Sequence, residues 1–173
     1  GLFQILMNGF IKSIKITNVG VNEFITNDTA SLPEDFLKKY SSFIAHEGDI
    51  VMALTRPIIS SGLKVAIVPK LWDNSLVNQR VAVIKKLKDV NLRYVYIYLS
   101  SDNAIKYIDN KSKSLMQPNL SINALKELPV QLPPLEIQDQ IVEEIEKERE
   151  LIESNKKLIE IMEKKIEEVL SEI

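Results

Sequence analysis

The most regular pattern in the chain is the spacing of apolar residues after Pro133. The positions follow one another in alternating steps of three and four, and the series runs Ile141, Ile145, Glu148, Ile152, Asn155, Ile159, Met162, Ile166, Val169. Glu148 and Asn155 are its two polar members. Such a heptad pattern is typical of a coiled-coil helix, whose apolar seam packs against another helix. It predicts one long helix over residues 133–173, about 60 Å in length at roughly 1.5 Å per residue.

An isolated apolar seam is unstable in water, so this helix needs a partner surface. Our hypothesis is an antiparallel homodimer, with an interface formed by Ile141, Ile145, Ile152, Asn155, Ile159, Met162, Ile166 and Val169. Asn155 would lower the stability of the pair while fixing its register. The pattern leaves two alternatives open, which are parallel pairing and packing of the helix against the rest of its own chain.

The first 132 residues show a different pattern, in which short apolar runs are separated by turn residues. This pattern predicts strands over residues 11–16, 50–55, 64–68, 81–84 and 130–132. The second and third of these strands form a hairpin around Ser60, Ser61 and Gly62. Residues 72–78 and 110–119 are predicted loops.

Helices are predicted where a capping residue precedes a helical apolar pattern. The predicted caps are Ser31 with Glu34 as a capping box, Asp89 or Asn91, Ser101 or Asp102, and Ser121. A strand through Tyr94, Tyr96 and Tyr98 is the alternative to the second helix. The fold class is therefore mixed α+β: a compact α/β domain with a twisted, partly barrel-like sheet, followed by one long coiled-coil helix.

The two patterns meet at Leu132-Pro133-Pro134-Leu135. Pro133 restricts Leu132 to an extended conformation. Pro134 suits the first turn of a helix, because its missing N–H has no helical partner there. We therefore predict one domain over residues 1–132 and a helix over residues 133–173.

Charge is distributed unevenly between these two parts. The whole chain has a net charge of −2, but residues 1–132 hold 16 Lys and Arg against 11 Asp and Glu, a net of +5. Residues 133–173 hold 6 against 13, a net of −7. A basic domain followed by an acidic helix favours phosphate contacts by the domain alone.

The sequence contains no residue arrangement typical of a catalytic centre. It has no cysteine, a single histidine (His46), no glycine-rich phosphate loop and no Asn/Asp-Pro-Pro-aromatic motif. We therefore predict a protein that is not an enzyme and has no metal site or cofactor of its own. No apolar run is long enough to span a membrane, so we expect a cytoplasmic protein without a membrane partner.

Four motifs follow one another in a recognisable order. They are Gly48-Asp49-Ile50-Val51, Asn78-Gln79 before an apolar run, Gln117-Pro118-Asn119-Leu120-Ser121, and the proline corner leading into the helix at Gln138. Together, over roughly residues 14–146, they resemble the target-recognition domain of specificity (S) subunits of type I DNA restriction–modification systems. Two features depart from that pattern: residues 111–116 lack a usual glycine, and no opening strand precedes Leu2. Either a natural half-subunit or part of a longer chain is expected.

The resemblance implies a DNA-binding module that performs no chemistry itself. It would position a DNA methyltransferase (modification) subunit on double-stranded DNA, with a restriction subunit as a further partner. S-adenosylmethionine would belong to the methyltransferase, which flips an adenine out of the duplex. Subunits of this family carry two recognition units, so an antiparallel homodimer of this chain would imitate a full subunit.

Two polar segments supply the candidate DNA-binding residues, because Arg and Lys can read guanine and Gln and Asn can read adenine. They are Arg56, Ser60, Ser61 and Lys64 at the hairpin, and Lys111, Lys113, Gln117 and Asn119 before the corner. Gln79 is interpreted as a structural hydrogen-bonding residue, and Tyr94, Tyr96 and Tyr98 as core residues rather than base-stacking ones.

Two other functions remain open from the sequence. A protein–protein adaptor would use only the coiled coil and would lack salt-sensitive DNA binding. A C-terminal recognition domain of a fused methyltransferase–nuclease would follow a catalytic domain in the same reading frame.

Overall fold

The computed structural model describes residues 10–113 and 118–171. The chain divides into two compact units, Gly1–Gln131 and Leu132–Ile173. We call the first unit the head and the second unit the stalk.

The described part of the head contains short strands arranged in three sheets. The strands are β1 (Phe10–Ile14), β2 (Ala30–Pro33), β3 (Ile44–Ala45), β4 (Ile50–Ala53), β5 (Ile58–Ile59), β6 (Gly62–Leu63), β7 (Val65–Ile67), β8 (Ser75–Val77) and β9 (Val81–Ile84). The sheet orders are β2-β1-β8-β3, β7-β4-β9 and β5-β6. Pairing is antiparallel except between β1 and β8, which are parallel. No closed barrel forms within residues 10–113 and 118–171, whereas the mixed α+β class is confirmed.

Strand β4 lies between two hydrophobic clusters, and its residues alternate between them. Val51 and Ala53 belong to a cluster with Ile14 of β1 and the buried Trp72. Ile50 and Met52 face a second cluster, which includes Tyr96, Leu99, Ile108 and Leu120. All four β4 residues are fully buried. The alternation follows from the two-residue period of a strand, and it makes the β7-β4-β9 sheet the middle layer of the head.

The described part of the head contains four α-helices, three of which begin at capping residues that the sequence predicted. They are α1 (Asp35–Lys39), α2 (Leu92–Leu99), α3 (Asp102–Ser112) and α4 (Ile122–Lys126), with short 3-10 helices at Ile16–Asn18, Ser41–Phe43 and Lys70–Trp72. The Asn91 side chain accepts the N–H of Arg93 at 2.8 Å. The Ser121 hydroxyl accepts the N–H of Ala124 at 3.0 Å, and Ser101 caps α3 in the same way. These caps confirm three of the four predicted helix starts.

Three local predictions are wrong. Ser31 lies in β2, which pairs with β1, and α1 begins after Glu34 without a side-chain cap. Part of the predicted loop over residues 72–78 forms β8, because it pairs with both β1 and β3. Residues 130–132 form no strand. The tyrosine segment is helical, which confirms the predicted helix over the alternative strand.

The stalk is one helix, α5 (Leu135–Ser171), as predicted. Pro134 precedes it, and the Pro134 carbonyl accepts the N–H groups of Ile137 and Gln138 at 2.9 and 3.1 Å. The buried Gln138 side chain donates to the Pro133 carbonyl at 2.8 Å. The proline corner therefore sets the start of the helix through its backbone carbonyls.

Candidate nucleic-acid interface

The segment that follows β4, residues 54–57, joins distant parts of the head through its backbone. The Leu54 N–H donates to the Arg80 carbonyl at 2.8 Å, and the Arg56 N–H donates to the Pro118 carbonyl at 2.8 Å. Thr55 and Asn119 form an isolated antiparallel bridge. Arg56, Arg80 and Asn119 are thereby brought close together, although 63 positions separate the first from the last.

The β5–β6 hairpin lies on the other side of the same segment. The Lys64 N–H donates to the Pro57 carbonyl at 2.8 Å, and the Lys64 carbonyl accepts the Ala53 N–H at 3.0 Å. Ser60 and Ser61 are exposed at the hairpin tip. We call the group formed by Arg56, Ser60, Ser61, Lys64, Arg80 and Asn119 the Arg56 cluster.

The cluster is electropositive, and no acid among the described residues pairs with its arginines. Arg56 and Arg80 are exposed, and no carboxylate of the described residues forms an ion pair with either one or with Lys64. Lys64 is half-buried, and burial lowers the pKa of its amine from the ordinary 10.5. An anion at this surface would relieve the repulsion among these cations, so the cluster has the charge of a phosphate- or base-binding surface.

The backbone of Arg56 has an unusual conformation, with φ of +47°. The other described non-glycine residues with positive φ are Asn22, Asn74 and Asp89. Asn and Asp tolerate this left-handed region, whereas a long side chain there is strained. Strain of this kind concentrates at functional sites, where surrounding structure imposes it.

The second predicted segment is only partly a loop. Lys111 and Ser112 lie in the last turn of α3, and Lys113 follows directly. Lys113 pairs with Asp109 at 3.1 Å, and the Lys111 amine lies 5.6 Å from the centre of the Tyr107 ring. These lysines are therefore already engaged within the head. Gln117 lies outside the described residues.

The end of α3 nevertheless lies beside the cluster. The Asn119 N–H donates to the Ser112 carbonyl at 3.0 Å. Asn119 therefore links the two predicted polar segments, the hairpin and the end of α3, which are far apart in the sequence.

Arg80 is the residue that sequence reasoning missed. Its position follows from the antiparallel pairing of β4 with β9, in which Ala53 is opposite Val81. Asn78 accepts the Arg80 N–H at 3.0 Å and so has the structural role that the sequence assigned to Gln79. Gln79 itself is exposed beside the cluster. The Asn78-Gln79 motif was the signal available in the sequence, but it did not reveal that Arg80, the residue after it, is exposed.

The tyrosines of α2 fix the end of the head. The Tyr94 and Tyr98 hydroxyls donate to the carbonyls of Gln131 and Pro129, at 2.8 and 2.7 Å. Tyr96 is buried in the second hydrophobic cluster. These contacts agree with the interpretation of the three side chains as structural rather than base-stacking.

His46 takes part in a local hydrogen-bond network away from the Arg56 cluster. Its ring nitrogen Nδ1 lies 3.2 Å from Asp73, which also accepts the Glu47 N–H at 2.9 Å. That backbone bond is the main cause that lowers the pKa of Asp73. The described residues include no cluster of acids and histidine suited to a metal ion, and no helix among them could cross a membrane.

Comparison with known families gives a match over residues 1–164 to the type I restriction modification DNA specificity domain. The specificity subunit of the type I restriction enzyme MjaVIII from Methanocaldococcus jannaschii is 31% identical over 143 residues, 82% of this chain. That of EcoAI from Escherichia coli is 33% identical over 135 residues, 76% of this chain. The chain spans 34% and 23% of the lengths of these two relatives.

Two solved structures share the fold. The HsdS subunit from Thermoanaerobacter tengcongensis aligns with a TM-score of 0.67 at 20% identity, over 86% of this chain and 38% of that chain. A chain from a study of assembly and conformational transition in a type I restriction–modification system aligns with a TM-score of 0.64 at 21% identity, over 88% and 40%. The resemblance predicted from the four sequence motifs is confirmed.

Proposed function

Because the chain belongs to the type I restriction modification DNA specificity domain family, we propose that its head binds duplex DNA sequence-specifically through the Arg56 cluster. The observation that supports this surface is a pair of exposed arginines, Arg56 and Arg80, to which no described acid is paired. The net charge of +5 over residues 1–132 would add attraction to phosphates.

The test is a fluorescence-anisotropy titration of a labelled DNA duplex at several salt concentrations. Binding through cations releases counterions, so the logarithm of the association constant should fall linearly with the logarithm of salt, by about 0.9 per phosphate contacted. No binding at low salt would contradict the proposal and favour an adaptor that acts through the stalk alone.

We further propose that the DNA-bound chain positions a methyltransferase (modification) subunit, and that a restriction subunit joins that complex. The family is one of specificity domains, which agrees with the prediction that this chain is not an enzyme. S-adenosylmethionine would then be bound by the partner, and the complex would act in the cytoplasm, where its DNA lies.

The proposal that this chain binds DNA while its partner performs the methylation is tested by incubating the chain alone with DNA, S-adenosylmethionine and Mg²⁺. The DNA should remain uncut and unmethylated, and adding the modification subunit should restore methylation. Formation of N6-methyladenine by the chain alone would show that it has chemistry of its own.

For the stalk we propose a coiled-coil, antiparallel homodimer. From Leu151 onward every residue of α5 that the structure describes is exposed, including Ile152, Ile159, Met162 and Ile166 of the predicted seam. A second copy would cover this apolar stripe and would supply the second recognition unit. Two identical heads related by a twofold axis would read a palindromic target.

Light scattering at micromolar concentration tests the pairing. The expected mass is twice the monomer mass of 19.7 kDa. A monomer whose stalk remains helical by circular dichroism would contradict the homodimer and leave another protein as the partner of the stripe. If the chain is a dimer, crosslinking between cysteines introduced near opposite ends of α5 would distinguish antiparallel from parallel pairing.

A further inference from the structure

We propose that Arg56 is a specificity-determining residue, held by its strained backbone so that its guanidinium binds a guanine edge in the major groove. This inference rests on the proposed DNA-binding function and names one reading residue within it.

The local sequence opposes the conformation that Arg56 adopts. Pro57 follows it, and a residue before proline normally has an extended backbone with φ near −120°. Arg56 instead has φ of +47°. Glycine or asparagine would suit this conformation better, and asparagine or aspartate occupies every other non-glycine position with positive φ in the described residues. Folding alone therefore gives no reason for an arginine here.

Hydrogen bonds on both sides of the segment impose the conformation. The Arg56 N–H is bound to the Pro118 carbonyl, and the neighbouring Pro57 carbonyl accepts the Lys64 N–H, both at 2.8 Å. The Leu54 N–H donates to the Arg80 carbonyl, and the Leu54 carbonyl accepts the N–H of Leu120, both at 2.8 Å. Buried strand β4 precedes this segment directly. The Cα–Cβ direction of Arg56 is thus set by the head before any ligand binds.

The Arg56 side chain contributes nothing visible to the fold. It is exposed and forms no ion pair or cation–π contact with the residues that the structure describes. A rigid backbone that presents an unengaged guanidinium reduces the entropy lost on binding. The planar fork of this group matches the O6 and N7 acceptors of guanine in a fixed geometry, whereas a lysine would reach the same acceptors as a point charge on a flexible stem.

The experiment selects binding sites from a randomised duplex library with the full chain and sequences them. Arg56→Lys keeps the charge but removes the planar fork, and Arg149→Lys is the matched control on an arginine of the stalk, outside the Arg56 cluster. Arg56→Gly removes the strain together with the side chain, and its unfolding temperature is measured in parallel.

The expected result is a position at which the unsubstituted chain prefers guanine and Arg56→Lys loses that preference by on the order of 10- to 100-fold. Preferences at the other positions should persist, and Arg149→Lys should leave the guanine preference intact. Arg56→Gly should lose the same preference while unfolding at an equal or higher temperature, because glycine adopts positive φ freely.

Two outcomes would overturn the role of Arg56: an unaltered set of preferences in Arg56→Lys, or an equal loss in Arg149→Lys. Failure of the unsubstituted chain to select any sequence would instead overturn the proposed function itself, so the two failures are distinguishable.

Discussion

In the head, the large apolar side chains are enclosed in two clusters while Arg56 and Arg80 have no acidic partner among the described residues. In the stalk the situation is reversed, because charges pair along the helix while apolar side chains are exposed. Lys147 pairs with Glu143 at 2.7 Å and Arg149 with Glu146 at 3.8 Å. Ile159 and Ile166, by contrast, are 56% and 59% exposed. The arginines of the head therefore have no anionic partner among the described residues, and the apolar stripe of the stalk is not covered by any of them.

The largest effect is expected from placing charge in the stripe of the stalk. Replacing both Ile159 and Ile166 with Asp removes apolar burial and places carboxylates in the proposed interface, at a cost on the order of 3 kcal/mol per substitution. At about 1.4 kcal/mol per factor of ten, the two substitutions together should raise the dimer dissociation constant at least about 10,000-fold. Analytical ultracentrifugation measures the change.

The matched control places the same residue type on the opposite face of the helix. Lys157→Asp with Lys164→Asp lies away from the seam in the heptad pattern, so the dimer should persist. Equal dissociation of the dimer by both double variants would show that the stripe is not the interface. DNA binding by a single head should persist in both double variants.

Charge reversal at the unpaired arginines should have the next largest effect. Arg56→Glu with Arg80→Glu should weaken DNA binding on the order of 100-fold and reduce the salt slope by about two. Anisotropy titrations measure both quantities. An unchanged slope would show that these residues do not contact the duplex.

A smaller effect is expected at the end of α3. Lys111→Glu with Lys113→Glu should weaken binding on the order of 10-fold and flatten the salt dependence by less than the arginine pair, because Lys113 is already paired with Asp109. The same titration compares the two double variants directly. Unchanged affinity and slope would remove this segment from the interface.

The smallest effect concerns an acid that is paired within the head. Hydrogen bonds from Lys15 and then Thr17 lower the pKa of Asp28 from its ordinary 3.8. A lowered pKa in the folded state contributes stability above the unfolded value, and this contribution is lost as pH falls through the folded pKa. Asp28→Asn should therefore lower the unfolding temperature slightly above about pH 4 and not at more acidic pH. A pH-independent difference between the two proteins would contradict this cause.

Features that depend on neighbours in sequence were predictable here. The caps at Asn91, Ser101 and Ser121 act within three residues, so the sequence identifies them without knowledge of the fold. The length and start of α5 follow likewise from its apolar spacing and the proline corner.

Features that depend on pairing between distant segments were not predictable. The capping-box pattern at Ser31 is overridden because Ser31 pairs with Lys12 across β1 and β2. Arg80 joins the Arg56 cluster only through the register of β9 against β4, which no short motif encodes. Arg56 and Asn119 were both predicted as DNA-binding candidates from their side-chain chemistry, but the sequence did not show that they lie close together across 63 positions.

The position of β4 between the two hydrophobic clusters has a consequence for how the head opens. A strand whose side chains alternate between both clusters cannot leave one without exposing the other, so the clusters should unfold as one cooperative unit. The amide protons of Ile50–Ala53 are then expected to exchange with solvent only through global unfolding. Arg56 lies three residues beyond this strand, so the proposed reading residue is anchored to the slowest-exchanging part of the head rather than to a loop that opens independently.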